Sequence, residues 1–181
     1  MKKFLCLALC LLAMTFTLMS CENTNCTSEK VLTGNVVDVL AKDIYPGEVT
    51  IKDGKITSIK RIDGEYDTYI LPGFVDAHIH IESTLMTPEN YARMAVENGV
   101  VAAICDPHEI TNVLGIEGID YMIDNSKKAR FHFNFMLPSC VPSTNHETAG
   151  ATIDAQQTAQ LIAREDIIGL AEMMKRTWCY L

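Results

Sequence analysis

The sequence predicts an α/β fold: a (β/α)8 barrel of the TIM type, truncated after about four strands, preceded by a small β-sandwich-like domain. Three observations predict it. β-branched runs between Val31 and Ile59 alternate near period two and are broken by Gly-containing turn signals. After Pro72-Gly73, apolar strand-like runs alternate with helix signals, which argues for parallel βαβ units. Four such strands and three helices in roughly 100 residues match the pitch of a barrel whose usual size is about 250. A complete doubly wound sheet is the rival, but no Gly-rich phosphate loop follows the first strand.

Composition sets the outer bounds. The chain has 181 residues, 48% of them hydrophobic, with 10 Gly and 6 Pro, which excludes collagen-like and low-complexity classes. Fifteen Lys+Arg against 23 Asp+Glu leave a formal net charge of −8, so a basic nucleic-acid footprint is absent. Removing residues 1–20 takes away Lys2 and Lys3 and no acid, so the remainder is more acidic still.

Taken in order, residues 1–20 read as a signal peptide: Lys2-Lys3 is followed by an apolar run from Phe4 to Met19, too short to span a bilayer comfortably. Leu18-Met19-Ser20-Cys21 resembles a bacterial lipobox, in which Cys21 is acylated. The expectation is an exported protein, either a cell-envelope lipoprotein or periplasmic, whose contact with membrane is that anchor. Residues 21–29 form a polar tether. Of seven cysteines, Cys6, Cys10 and Cys21 belong to the signal region. Cys26, Cys105, Cys140 and Cys179 are widely spaced without a C-x-x-C, and are read as single thiols with no bridge or metal.

Residues 30–71 are the small β domain, with runs over Val31–Leu40, Gly47–Ile51 and Lys55–Ile59 and turn signals at Asp53-Gly54 and Asp63-Gly64. Residues 72–174 are the half barrel. A strand over Phe74–Ile81 precedes a helix over Pro88–Asn98, capped by Thr87 and stopped at Gly99. Val100–Cys105 is the second strand, followed by a helix over Ile116–Lys128 and a strand over Phe131–Leu137. Asp154 with Gln157 makes a capping box for a third helix ending near Arg164, and Ile167–Ala171 is the fourth strand.

Asp76, His78, His80 and Glu82 share one parity along the first strand, so extended geometry projects all four to the same side. Imidazoles two residues apart stand about 7 Å from each other along a strand and can converge on one divalent ion. An isolated His-x-His serves equally as a pair of surface or satisfied core histidines. Its place at the C-terminal end of a barrel strand favours the metal, with Asp76 and Glu82 flanking the rings to orient them. His108 and Glu109 follow the second strand, where a barrel's active-site loops lie; they either face substrate as catalytic groups, stand behind the ligands, or order the loop. They are no zincin pair, because Asn112 occupies the position of the second histidine. On the residues alone Glu172 reads as a helix-start acid. His132 reads as structural, and His146 has no assignable role. Pro138-Ser-Cys-Val-Pro142 is a candidate wall for a small-molecule pocket, and Ser139 and Cys140 lack a neighbouring base for a triad.

The block Leu71-Pro-Gly-Phe-Val-Asp-Ala-His-Ile-His-Ile-Glu-Ser83 resembles the first-strand signature of the amidohydrolase superfamily, which also carries a preceding small β domain. More narrowly, it resembles the bacterial-type adenine deaminase family. So do Asp106-Pro-His-Glu-Ile-Thr-Asn-Val-Leu-Gly115, Met136–Pro142, Glu147-Thr-Ala-Gly-Ala151 and Ile168-Gly-Leu-Ala-Glu-Met-Met174. The resemblance runs from about Val31 to Met174. It implies hydrolysis of adenine to hypoxanthine and ammonia by a metal-bound hydroxide attacking the ring carbon that bears the amino group, since a metal lowers the pKa of water from about 15.7 to about 7. It also implies that His78 and His80 are metal ligands, that Glu172 is a bridging carboxylate, and that the cofactor is a divalent metal, Mn2+ first, with Fe2+ or Zn2+ as alternatives. The implied partner is a small purine, without nucleic acid, and a homo-oligomer is compatible with the full-length form.

Residues 175–181 do not continue the family pattern. The resemblance places further ligands on the fifth and sixth strands and a catalytic aspartate on the eighth, so residues 1–181 alone are expected to be inactive. Two other readings stand beside this one: a different amidohydrolase, such as a deacetylase or cyclic-amide hydrolase, and a non-catalytic lipoprotein remnant.

Overall fold

A computed structural model of the chain describes residues 28–174. The signal peptide, Cys21, most of the tether, Cys26, Cys179 and the tail over 175–181 lie outside the described residues. Two compact units divide between Leu71 and Pro72.

In the first unit β1 (Glu29–Asp38), β2 (Asp43–Lys52), β3 (Lys55–Arg61) and the short β4 (Tyr69–Ile70) make one sheet in the order β3-β2-β1-β4. β1–β2 and β2–β3 are antiparallel hairpins, and β4 adds to β1 in parallel. β1 stops at Asp38 rather than running to Leu40, because the Asp38 carboxylate accepts hydrogen bonds from the Leu40 and Ala41 amides and closes the turn. The second hairpin turns on Asp53-Gly54, both at positive φ, the backbone that an Asp-Gly pair tolerates. Val36 of β1 and Val49 of β2 are the buried apolar side chains of this sheet.

In the second unit β5 (Phe74–Ile79), β6 (Val100–Cys105), β7 (His132–Leu137) and β8 (Ile167–Leu170) are all parallel and pair in chain order. Sequential order without a reversal is the pattern of a barrel; a doubly wound sheet reverses at its ligand crevice. The crossovers are α1 (Pro88–Glu97), α2 (His108–Leu114), α3 (Ile116–Ser126) and α4 (Ala155–Leu161), the last with the expected Asp154–Gln157 capping box. α2 falls where no helix was expected. Tyr91 and Ala95 of α1 and Ile119, Met122 and Ile123 of α3 pack on Ala103, Cys105, Phe135 and Leu137 of the sheet. Ala103, Ile119 and Leu137 are completely buried. The core therefore lies between the helices and one face of the sheet, and the strand ends are left to carry chemistry.

Candidate metal centre

β5 ends at Ile79, two residues earlier than the alternation suggests, and Ile81–Thr84 form a 3-10 turn anchored by the buried Ile81. His80 is still extended, at φ −96° and ψ 98°, so it keeps the parity of His78 while Glu82 leaves it. The Asp106 amide donates to the Ile79 carbonyl at 2.9 Å, which brings the exits of β5 and β6 to one level. Glu172 lies just beyond β8, where the Ala171 amide donates to the Leu137 carbonyl at 2.9 Å. Three strand exits thus converge.

The result is a cluster of His78, His80, Asp106 and Glu172 whose donor atoms lie within 4.8 Å of one another. His78 Nε2 stands 3.2 Å from His80 Nε2, 3.3 Å from Glu172 Oε1 and 3.6 Å from Asp106 Oδ2. His80 Nε2 is 3.9 Å from Glu172 Oε1. Ligands about 2.1 Å from one ion stand roughly 3 Å or slightly more from each other, so these separations fit a shared cation. Two neutral imidazoles with two carboxylates also offer a charge that a dication balances. A set of two imidazoles and two carboxylates has the chemistry of a divalent-metal site.

Further carboxylates act on the rings from behind. Glu109, in the first turn of α2, places Oε2 3.2 Å from His80 Nδ1 and accepts the Ser83 hydroxyl at Oε1, 3.0 Å away. Burial lowers the His80 pKa, but the charges of Glu109, Asp106, Glu172 and Glu82 together outweigh it and leave the ring above its ordinary 6.5. Asp106 is 2% exposed, and its Oδ1 lies 2.5 Å from Nδ1 of His108. His108, 3% exposed, stands behind Asp106 and away from solvent. Glu109 thus stands beside His80, and His108 beside Asp106.

Asp76 and Glu82 do not hydrogen-bond the rings. Asp76 accepts from the Tyr91 hydroxyl at 3.3 Å and from the backbone amide of His78 at 3.2 Å, fixing the strand rather than an imidazole. Glu82, carried away by the 3-10 turn, accepts from the Ile110 amide at 3.2 Å and ties that turn to α2; burial raises its pKa. His132 and His146 are exposed and add no atom to the cluster. Asp106 is the residue that sequence reasoning missed. The signal was present, since it directly follows β6, one step before the His108-Glu109 pair that its strand-end position singled out.

A cavity of about 250 Å³ opens beside the cluster, lined by His78, Asp106 and Glu172 and by the apolar Ile104, Met136 and Leu170. Ser139 and Cys140, expected as its wall, are buried beneath the chain after β8 and do not line it. The Cys105 thiol, pushed up to about 12 by burial, is an inert core group.

A parallel sheet with paired histidines at the end of its first strand, joined by acids from later strand exits, is the arrangement of a metal-dependent hydrolase built on a barrel. The model of the amidohydrolase family matches residues 69–177, more than half of the chain, and the chain belongs to that family. Within it, the chain is 46% identical over 144 residues to an adenine deaminase of Methanosphaera stadtmanae, covering 80% of this chain and 27% of that protein. It is 51% identical over 142 residues to an adenine deaminase of Borreliella afzelii, covering 77% and 26%. A third, from Sulfurovum sp., is 51% identical over 140 residues with the same coverage. The chain spans about a quarter of the length of the curated relatives it matches.

Proposed function

We propose that this chain is the metal-holding part of an adenine deaminase, which hydrolyses adenine to hypoxanthine and ammonia, and that residues 1–181 alone do not turn over. The observation that carries the reading is the convergence of His78, His80, Asp106 and Glu172, from three strand exits, on one cluster beside a cavity that His78, Asp106 and Glu172 line. In it His78, His80 and Glu172 hold the ion, with Asp106 beside them. The mixed imidazole and carboxylate set suits Mn2+, with Fe2+ or Zn2+ as alternatives. A bound divalent cation would supply Lewis acidity and make water nucleophilic near neutral pH. The chain's own part is to hold His80 through Glu109, to hold Asp106 against His108, and to present carboxylates that take a proton beside the cavity.

The test replaces the matching segment of the Methanosphaera stadtmanae adenine deaminase with residues 31–174 of this chain and measures hypoxanthine release. The chimera is expected to deaminate adenine and to lose activity with His78→Ala. A folded chimera that holds metal but leaves adenine intact, or that hydrolyses an N-acetyl or cyclic-amide substrate instead, contradicts the reading.

Export and acylation at Cys21 are a separate proposal, supported by Lys2-Lys3, the apolar run and the Leu18–Cys21 pattern. Radiolabelled fatty acid is expected to enter the wild type and not Cys21→Ala; an unlabelled wild type ends it.

A further inference from the structure

Glu172 belongs to no strand or helix: β8 ends at Leu170, and residues 171–174 carry no regular structure. Yet its side chain is 43% exposed and its carboxylate stands 3.3 Å from the His78 ring and 3.9 Å from the His80 ring. Side chains from the exits of β6 and β7 hold it there. The Ser139 hydroxyl, on a residue 6% exposed, donates to the Glu172 carbonyl at 3.1 Å. On the other side of the residue, the Glu172 amide donates to Asp106 Oδ2 at 3.4 Å. Further along, the Met174 amide donates to Cys140 Sγ at 3.2 Å, and that sulfur lies 3.4 Å from Met173 Sδ. The other contacts of the Ser139 hydroxyl are to sulfur, at 3.7 Å and 3.9 Å, and are weaker acceptors.

We propose that Ser139 is a positioning residue for Glu172: its hydrogen bond to the Glu172 carbonyl fixes the chain after β8 so that the carboxylate meets His78 and His80. This rests on the reading of Glu172 as a metal ligand. A carbonyl that loses its buried donor either finds water or swings away. Either change rotates the peptide that carries the side chain. Groups that hydrogen-bond a ligating side chain directly alter metal affinity roughly 10–100-fold when removed, and an anchor on the ligand's main chain is expected at the low end of that range.

The test compares the full chain with Ser139→Ala, which deletes the hydroxyl, and Ser139→Thr, which keeps it. Two quantities are measured: amide hydrogen exchange in the metal-free protein, and Mn2+ affinity by calorimetry. Ser139→Ala is expected to speed exchange of the Ala171, Glu172 and Met174 amides and to weaken Mn2+ binding, each roughly tenfold, while the Phe135 amide in the core is unchanged. Ser139→Thr is expected to restore both. Wild-type exchange at residues 171–174 in Ser139→Ala overturns the proposal. So does loosening of Phe135 together with residues 171–174 in both variants, which would make Ser139 a packing residue. If the wild type takes up no Mn2+, the ligand reading of Glu172 fails on its own, and the exchange comparison still decides whether Ser139 holds that segment.

Discussion

The two sheets are built by opposite rules. In the antiparallel part of the sheet over residues 28–71, β1, β2 and β3 are neighbours in sequence as well as in space, joined by four-residue and two-residue turns, and local turn chemistry sets the register; only the short β4 returns to pair with β1 in parallel. In the parallel sheet over residues 72–174, every pairing crosses a helix, and the register comes from burying one face against α1 and α3. Chemistry gathers on the second sheet because parallel strands all leave at one end, so residues 78, 106 and 172 meet although far apart in sequence. An antiparallel sheet sends alternate strand ends to opposite edges and cannot collect them so.

That contrast can be broken at several points, the largest effect first. Replacing both His78 and His80 by Ala is expected to abolish Mn2+ uptake in calorimetry while the circular dichroism spectrum stays that of the wild type; retained stoichiometric binding would move the ion elsewhere. Leu137→Ala, at a completely buried position, is expected to cost about 2–5 kcal/mol in urea denaturation of the parallel unit and to leave exchange in the β2–β3 hairpin unchanged. Gly54→Ala meets no atom, so its cost is backbone strain at φ +75°, about 1 kcal/mol, confined to that hairpin.

The pH dependence is smaller and has two limbs. The Arg164 guanidinium holds the Asp166 carboxyl below its ordinary 3.8, so that pair stabilises the protein above this value and the contribution is lost as the pH falls through the lower native pKa. His80 is raised, so its contribution is complete below 6.5 and is lost as the pH rises through the higher native value. Denaturation midpoints measured from pH 3 to 9 in metal-free buffer should show both limbs. Saturating Mn2+ should reverse the upper one, because ligation requires the neutral imidazole. An unchanged upper limb would take His80 out of the ligand set.

Elements marked by local chemistry were legible in the sequence. Thr87-Pro88 opens α1, the Asp154–Gln157 box opens α4, and Asp53-Gly54 turns the hairpin, each as expected. Features set across the fold were not. The first turn of α1 is capped by Asn125 of α3, which accepts the Glu89 amide at 2.9 Å, while the Thr87 side chain makes no capping bond. α2 is only seven residues long, begins after Asp106-Pro107, and includes the β-branched Ile110, Thr111 and Val113, so propensity argues against it. It forms because Thr111 and His108 bury against the unit. The early end of β5 follows from Ile81 turning into the core, which is why Glu82 left the face that parity assigned to it. At the site itself, the histidine pair was readable from spacing, whereas Asp106 was readable only as an acid at a strand end, and the pairing of β5 with β6 is what sets it at the level of the histidines.

Crystals of the chain grown with Mn2+ and measured at the manganese absorption edge would show where the ion sits. An anomalous peak is expected about 2.0–2.3 Å from His78 Nε2, His80 Nε2 and a Glu172 carboxylate oxygen. A peak bound elsewhere, or imidazoles turned outward with no peak between them, would contradict that placement.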